Sequence, residues 1–123
     1  MFDNVNWNRI IDKILAYIDK NWEYLIIKTN FSKMSFSAKY YYSKKDNEFI
    51  DLDNTIKEMY EINKTSCEEL MKITQKFTES DETMFLTIKV DKKGNLKVIY
   101  KDIKEGNRIP WDEVDKYLLN QND

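Results

Sequence analysis

Apolar residues at the start of the chain recur at three- and four-residue spacing. Val5, Ile10, Ile11, Ile14, Leu15 and Ile18 form one stripe, the signature of an amphipathic helix. Asp3 or Asn4 is placed to cap its first turn, and Asn21 closes the pattern. From Trp22 the period changes to two. Residues 22–29 are dense in β-formers, and Phe36, Ala38, Tyr40 and Tyr42 alternate with their neighbours along a second strand. Asn30-Phe31-Ser32-Lys33 reads as the turn between them. Ser43-Lys44-Lys45-Asp46-Asn47 reads as the next turn, leading into a short strand at residues 48–51. The economical arrangement is a three-stranded antiparallel meander.

Residues 53–64 carry only a weak helical pattern in Ile56, Met59 and Tyr60. Thr65-Ser66-Cys67-Glu68 fits a capping box, in which the Thr65 hydroxyl accepts from a first-turn amide and Glu68 reaches back. The helix so opened would line Cys67, Leu70, Met71, Thr74 and Phe77 along one face. Met84, Leu86, Ile88 and Val90 then alternate into an Asp91-Lys92-Lys93-Gly94 turn, and Leu96, Val98 and Tyr100 alternate on the way back. Gly94 suits the positive φ such turns demand. Pro110 stands where a first helical residue is favoured, and Trp111, Val114, Tyr117 and Leu118 give a closing helix its stripe. The expected fold is α+β: an antiparallel sheet of about five strands with helices packed on one face. The order is α-βββ-α-ββ-α, in a single domain over residues 1–123.

Composition narrows the chemistry. A chain of 123 residues, 41% apolar and 34% charged, can bury roughly two-thirds of its unfolded surface in one core. Twenty basic against 22 acidic residues leave a net charge of −2, which speaks against a general nucleic-acid binder. The chain has no histidine and one cysteine. The commonest general base and transition-metal ligand are therefore missing, and a zinc site is disfavoured. Cys67 cannot form an internal disulfide and lies on a predicted apolar helix face, where an inert thiol is expected. The reading is a non-enzyme without cofactor or metal, in the reducing cytoplasm. No secretory signal and no apolar run near the roughly 20 residues needed to cross a bilayer stand in the sequence.

Charge is uneven along the chain. Residues 24–45 hold five lysines (Lys28, Lys33, Lys39, Lys44 and Lys45) and no acid, whereas residues 46–61 hold Asp46, Glu48, Asp51, Asp53, Glu58 and Glu61 against the single Lys57. A solvated face explains such a run. An acidic surface that meets a basic partner, such as a nuclease, explains it as well, because complementary fields speed encounter. The strand Lys39-Tyr40-Tyr41-Tyr42-Ser43-Lys44-Lys45 supports a rival reading, in which tyrosines stack on single-stranded bases and lysines track phosphates. Against it, Tyr40 and Tyr42 fit the core, and neighbouring strands offer no matching exposed aromatics.

The order of features resembles the YezG-like family of bacterial immunity proteins. Asn21-Trp22-Glu23 entering a strand is similar to that family's tryptophan after its first helix, and Ala38-Lys39-Tyr40-Tyr41-Tyr42 to its aromatic second strand. The stretch from Asp91 through Gly94 to Tyr100-Lys101-Asp102 resembles its Asp-x-x-Gly turn into a strand ending Tyr-x-Asp. Arg108, Trp111, Tyr117 and Leu118 resemble its closing pattern, while Met84-Phe85 stand where members commonly have tryptophan. The resemblance implies a protein made beside a toxin, often a nuclease, that it binds and silences in the producing cell. It brings no catalytic residues. Immunity proteins of contact-dependent growth inhibition systems are the neighbouring class.

Overall fold

The computed structural model describes residues 4–45, 48–52, 58–76 and 83–103. Helix α1 (Trp7–Leu15) leads into strands β1 (Tyr24–Phe31), β2 (Phe36–Lys45) and β3 (Glu48–Asp51). Helix α2 (Met59–Leu70) continues as a 3₁₀ turn (Met71–Lys76), and β4 (Thr83–Asp91) and β5 (Leu96–Ile103) form the last hairpin. The five strands make one sheet in the order β3-β2-β1-β4-β5, every neighbouring pair antiparallel. The α+β class, the meander and the second hairpin stand as the residue pattern predicts. The expected closing helix at Trp111, Val114, Tyr117 and Leu118 lies outside the described residues.

Strand β1 is central because it is apolar on both faces and pairs along its full length. It runs from Tyr24↔Ser43 to Phe31↔Phe36 against β2, and from Tyr24↔Asp91 to Phe31↔Met84 against β4. Residues opposite one another share a face, so the sheet sorts cleanly. Leu25, Ile27 and Phe31 lie with Tyr40, Tyr42, Met84, Leu86, Ile88 and Val90 in the core, together with Ile10 and Ile14 of α1 and Ile62 and Leu70 of α2. Both helices therefore cover the same face. Each such aliphatic side chain, fully buried, stabilises the fold by about 2 kcal/mol.

Local signals moved in four places. Asn6, and not Asn4, caps α1, its Oδ1 accepting from the Arg9 amide at 3.1 Å, while Asp3 lies outside the described residues. The helix stops at Leu15, with Ala16 as its C-cap, well before Asn21. Phe31 is fully buried within β1 and not in a turn; the reversal falls at Ser32–Ser35, where the Ser32 amide bonds the Ser35 carbonyl at 2.9 Å. The capping box at Thr65 does not form, because α2 starts at Met59 and places Thr65 and Ser66 in its buried interior. The stripe that α2 buries is Ile62, Thr65, Ser66, Glu69 and Leu70, a regular helical spacing disguised by three polar members.

Two of those polar members are satisfied from other elements. Ser66 Oγ accepts from the Tyr40 hydroxyl at 2.8 Å, both groups buried, which ties α2 to β2. Glu69 is treated below. At the other end of the sheet, Asp91 organises the β4–β5 turn, accepting from the Lys93 and Asn95 amides and the Asn95 side-chain amide, each at 2.9 Å. Gly94 sits there at φ 89°, and a Cβ on it would meet nothing within 4 Å.

Tyr40→Phe leaves the Ser66 hydroxyl buried without its partner and should cost about 1–2 kcal/mol. Adding Ser66→Ala should recover part of that loss, as denaturant titration of the four members of the cycle will show. Gly94→Ala, with open space around it, should cost about 1 kcal/mol purely from the backbone.

Candidate functional site

Among the described residues, the acidic run 46–61 is divided between β3 and the start of α2. Glu48 and Asp51 belong to the edge strand β3, where Asp51 lies opposite Tyr41. Glu58 is the N-cap of α2 and Glu61 lies in its first turn, both exposed. Tyr41 and Asp51 occupy the sheet face away from the helices, so Asp51 and the acids of α2 lie on opposite sides of the sheet. Asp46 and Asp53 lie outside the described residues. The reason is the crossover: the chain leaves β3 at the sheet edge and returns as a helix over the core face.

On the helix side, Tyr60 stands between Glu58 and Glu61 with 72% of its surface exposed. A tyrosine held out from a rigid helix between two carboxylates has the anatomy of a protein-contact anchor: a large aromatic of few rotamers in a polar surround. Glu61 is only loosely engaged by Lys13, at 4.0 Å. The helical spacing of Met59 and Tyr60 was visible in the sequence, but which of the two faced water was not.

On the other side, the strand Lys39–Lys45 divides as the core reading predicts. Tyr40 and Tyr42 are buried in the core, while Lys44 turns to Asp19 at 2.9 Å. Lys39 and Tyr41 face away from the helices, half-buried. Tyr24 of β1 shares this face, half-buried and not exposed, with Lys89 4.5 Å from its ring centre. The Lys28 ammonium lies 4.7 Å from the Tyr41 ring centre, within cation–π range. Register across β1 created this arrangement, and no single strand carries it. The middle of the face is closed, however. Lys28 is 6% exposed, and burial, with Lys39 adding to it and Asp51 opposing, lowers its pKa to about 8.

Glu69 is a heavily engaged ionised group that no motif in the sequence marks. Its carboxylate, nearly buried, accepts from Lys72 Nζ at 2.8 Å, from the Asn6 amide at 2.8 Å and from Arg9 Nη1 at 2.8 Å. Those bonds, Lys72's first, hold its pKa down at about 2. Arg9 also reaches Glu68 at 3.4 Å. This cluster is a structural clamp: every charge is matched, and its anion is closed off from solvent.

Among the described residues no group of three or more acidic or cysteine side chains is gathered to hold a metal ion. Cys67 is half-buried on α2, and burial, then Glu68, pushes its thiol pKa up, which lowers its nucleophilicity at neutral pH. No helix among them is long and apolar enough to cross a membrane. Compared with protein-family models and with curated proteins, the chain matches none.

Glu69→Gln removes the charge that three donors converge on and should cost about 2 kcal/mol at neutral pH. A carboxylate whose folded pKa is depressed contributes stability that is complete above its unfolded value and fades as pH falls. The wild type should therefore lose stability from pH 4.5 down towards about 2, and Glu69→Gln should show a shallower acid limb in urea titrations across that window.

Proposed function

We propose that this chain is an immunity protein, a stoichiometric inhibitor that binds and neutralises a cognate bacterial toxin carrying a basic surface, such as a nuclease domain, in the cytoplasm of the producing cell. The observation that carries the reading is the α2 turn: Tyr60 exposed between Glu58 and Glu61. The acids draw a cationic surface in, and the ring offers area to bury at low entropic cost. Support also comes from the short β3 edge, whose Asp51 carries negative charge on the face away from the helices. Carboxylates set against the phosphate-gripping residues of a nuclease would exclude its substrate.

The face bearing Tyr41 and Tyr24 does not serve the single-stranded nucleic-acid alternative well, because its central residues are buried. Gel-shift titration of the free protein at moderate salt decides between the two. Retention of RNA or DNA that weakens with salt favours the alternative; no retention favours protein binding.

The direct test is co-expression with the product of the adjacent toxin-like gene. Growth should be restored only when this chain is present, and the two proteins should co-purify at equal stoichiometry. Tyr60→Ala should weaken that complex by about 2 kcal/mol, roughly 30-fold in Kd. Glu58→Lys with Glu61→Lys should chiefly slow association and flatten its salt dependence. Unchanged affinity in both folded variants would place the interface elsewhere.

A further inference from the structure

Glu61, one of the two acids beside Tyr60, is met by a cation from the other helix. Lys13 Nζ lies 4.0 Å from Glu61 Oε2, with 39% and 50% of the two side chains exposed. Four residues earlier on α1, Arg9 reaches Glu68 and Glu69 of α2 at 3.4 and 2.8 Å. The two helices therefore run antiparallel, and the Glu69 clamp sets Lys13 against the first turn of α2. A pair this long and this solvated contributes little to stability, so the clamp, and not Lys13, holds the helices together.

What Lys13 changes is the field at the surface. Opposite charges 4.0 Å apart act on a distant group as a dipole, whose field falls off faster than that of a bare carboxylate. Lys13 thus places positive charge at the edge of the surface that Tyr60 and Glu61 present. We propose that Lys13 attenuates this surface: a cation arriving with the partner has to displace Lys13 from Glu61, so removing the Lys13 charge quickens association. The inference rests on the reading of this chain as an inhibitor of a basic toxin. Arg9 has no such role, because its guanidinium is engaged by the 4% exposed Glu69 carboxylate, and its loss would break the clamp.

One measurement tests the field without any partner. Cationic aminomethyl-PROXYL and anionic carboxy-PROXYL report the potential near each amide of the full-length protein through their relaxation enhancements. Lys13→Met keeps the apolar stem and a good helix former. It should raise the cation-to-anion ratio at residues 60–62 about twofold. Lys13→Arg should leave the ratio as in the wild type. So should Lys33→Met, which changes the net charge equally. Lys33 lies in the β1–β2 turn, at the opposite end of β2 from the Asp19–Lys44 pair that follows α1.

The second measurement uses the catalytically inactivated product of the adjacent toxin-like gene. Lys13→Met should associate with it about two- to threefold faster than the wild type at low salt, with the gain lost at high salt. The gain should also vanish in a Glu61→Gln background. An unchanged ratio at residues 60–62 in Lys13→Met, or association no faster than in the wild type, would overturn the proposal and leave the inhibitor reading standing. If the wild type forms no complex with that product, the inhibitor reading falls, and the attenuation with it.

Discussion

The carboxylate of Glu69 joins the start of the chain to its middle. By accepting from the Asn6 amide it satisfies a backbone donor at the entrance to α1, and by pairing with Arg9 it anchors the first turn of that helix. Lys72, three residues on, neutralises the remaining charge. A nine-residue helix such as α1 is too short to persist alone in water. Its place over the sheet depends on burying Ile10 and Ile14 and on this clamp. Without α1 and α2 locked together, the core face of β1 and β4 would have no lid. A buried anion with matched donors is also less forgiving than an apolar contact, since loss of any one partner leaves a charge uncompensated.

The sheet sets what either surface can do. With β1 at its centre, the tyrosines of β2 are divided by the pleat: Tyr40 and Tyr42 enter the core, and Tyr41 joins Tyr24, Lys28, Lys39 and Lys89 on the far side. Tyr40 then does two jobs, filling core volume and carrying its hydroxyl to Ser66. The α2 turn is the complement of this. Ile62, Ser66 and Leu70 turn inward, so Tyr60, Glu58 and Glu61 are left facing water on a rigid element. The arrangement suits recognition by surface chemistry, with structural ionic groups kept apart from the exposed ones.

Much of this was legible in the residues themselves. Alternation at 36, 38, 40 and 42 and at 84, 86, 88 and 90, with a glycine turn between the last two strands, is enough to specify the hairpins and which side of each strand is buried, because side-chain direction alternates strictly along a strand. The stripe of α1 is equally plain, although its cap moved to Asn6. Helix α2 was misjudged at its start because Thr65, Ser66 and Glu69 occupy buried positions, and polar residues there look like a cap or a surface until their partners are known. The acidic run was legible as composition, and the structure divides its described members between β3 and the start of α2.

What the sequence by itself determined is the class of fold and the inward side of α1 and of the strands, both of which follow from local periodicity. The tertiary structure alone decided the order β3-β2-β1-β4-β5, the meeting of Tyr24 with Lys89 and of Lys28 with Tyr41, and the separation of Asp51 from Glu58 and Glu61. It also decided that Glu69, alone among its neighbours, gathers three donors from two helices. The physical reason is the same in each case. Local pattern records how a residue relates to water, whereas partner choice depends on register and on which distant segment packs alongside, and neither is written within the span of a single helix or strand.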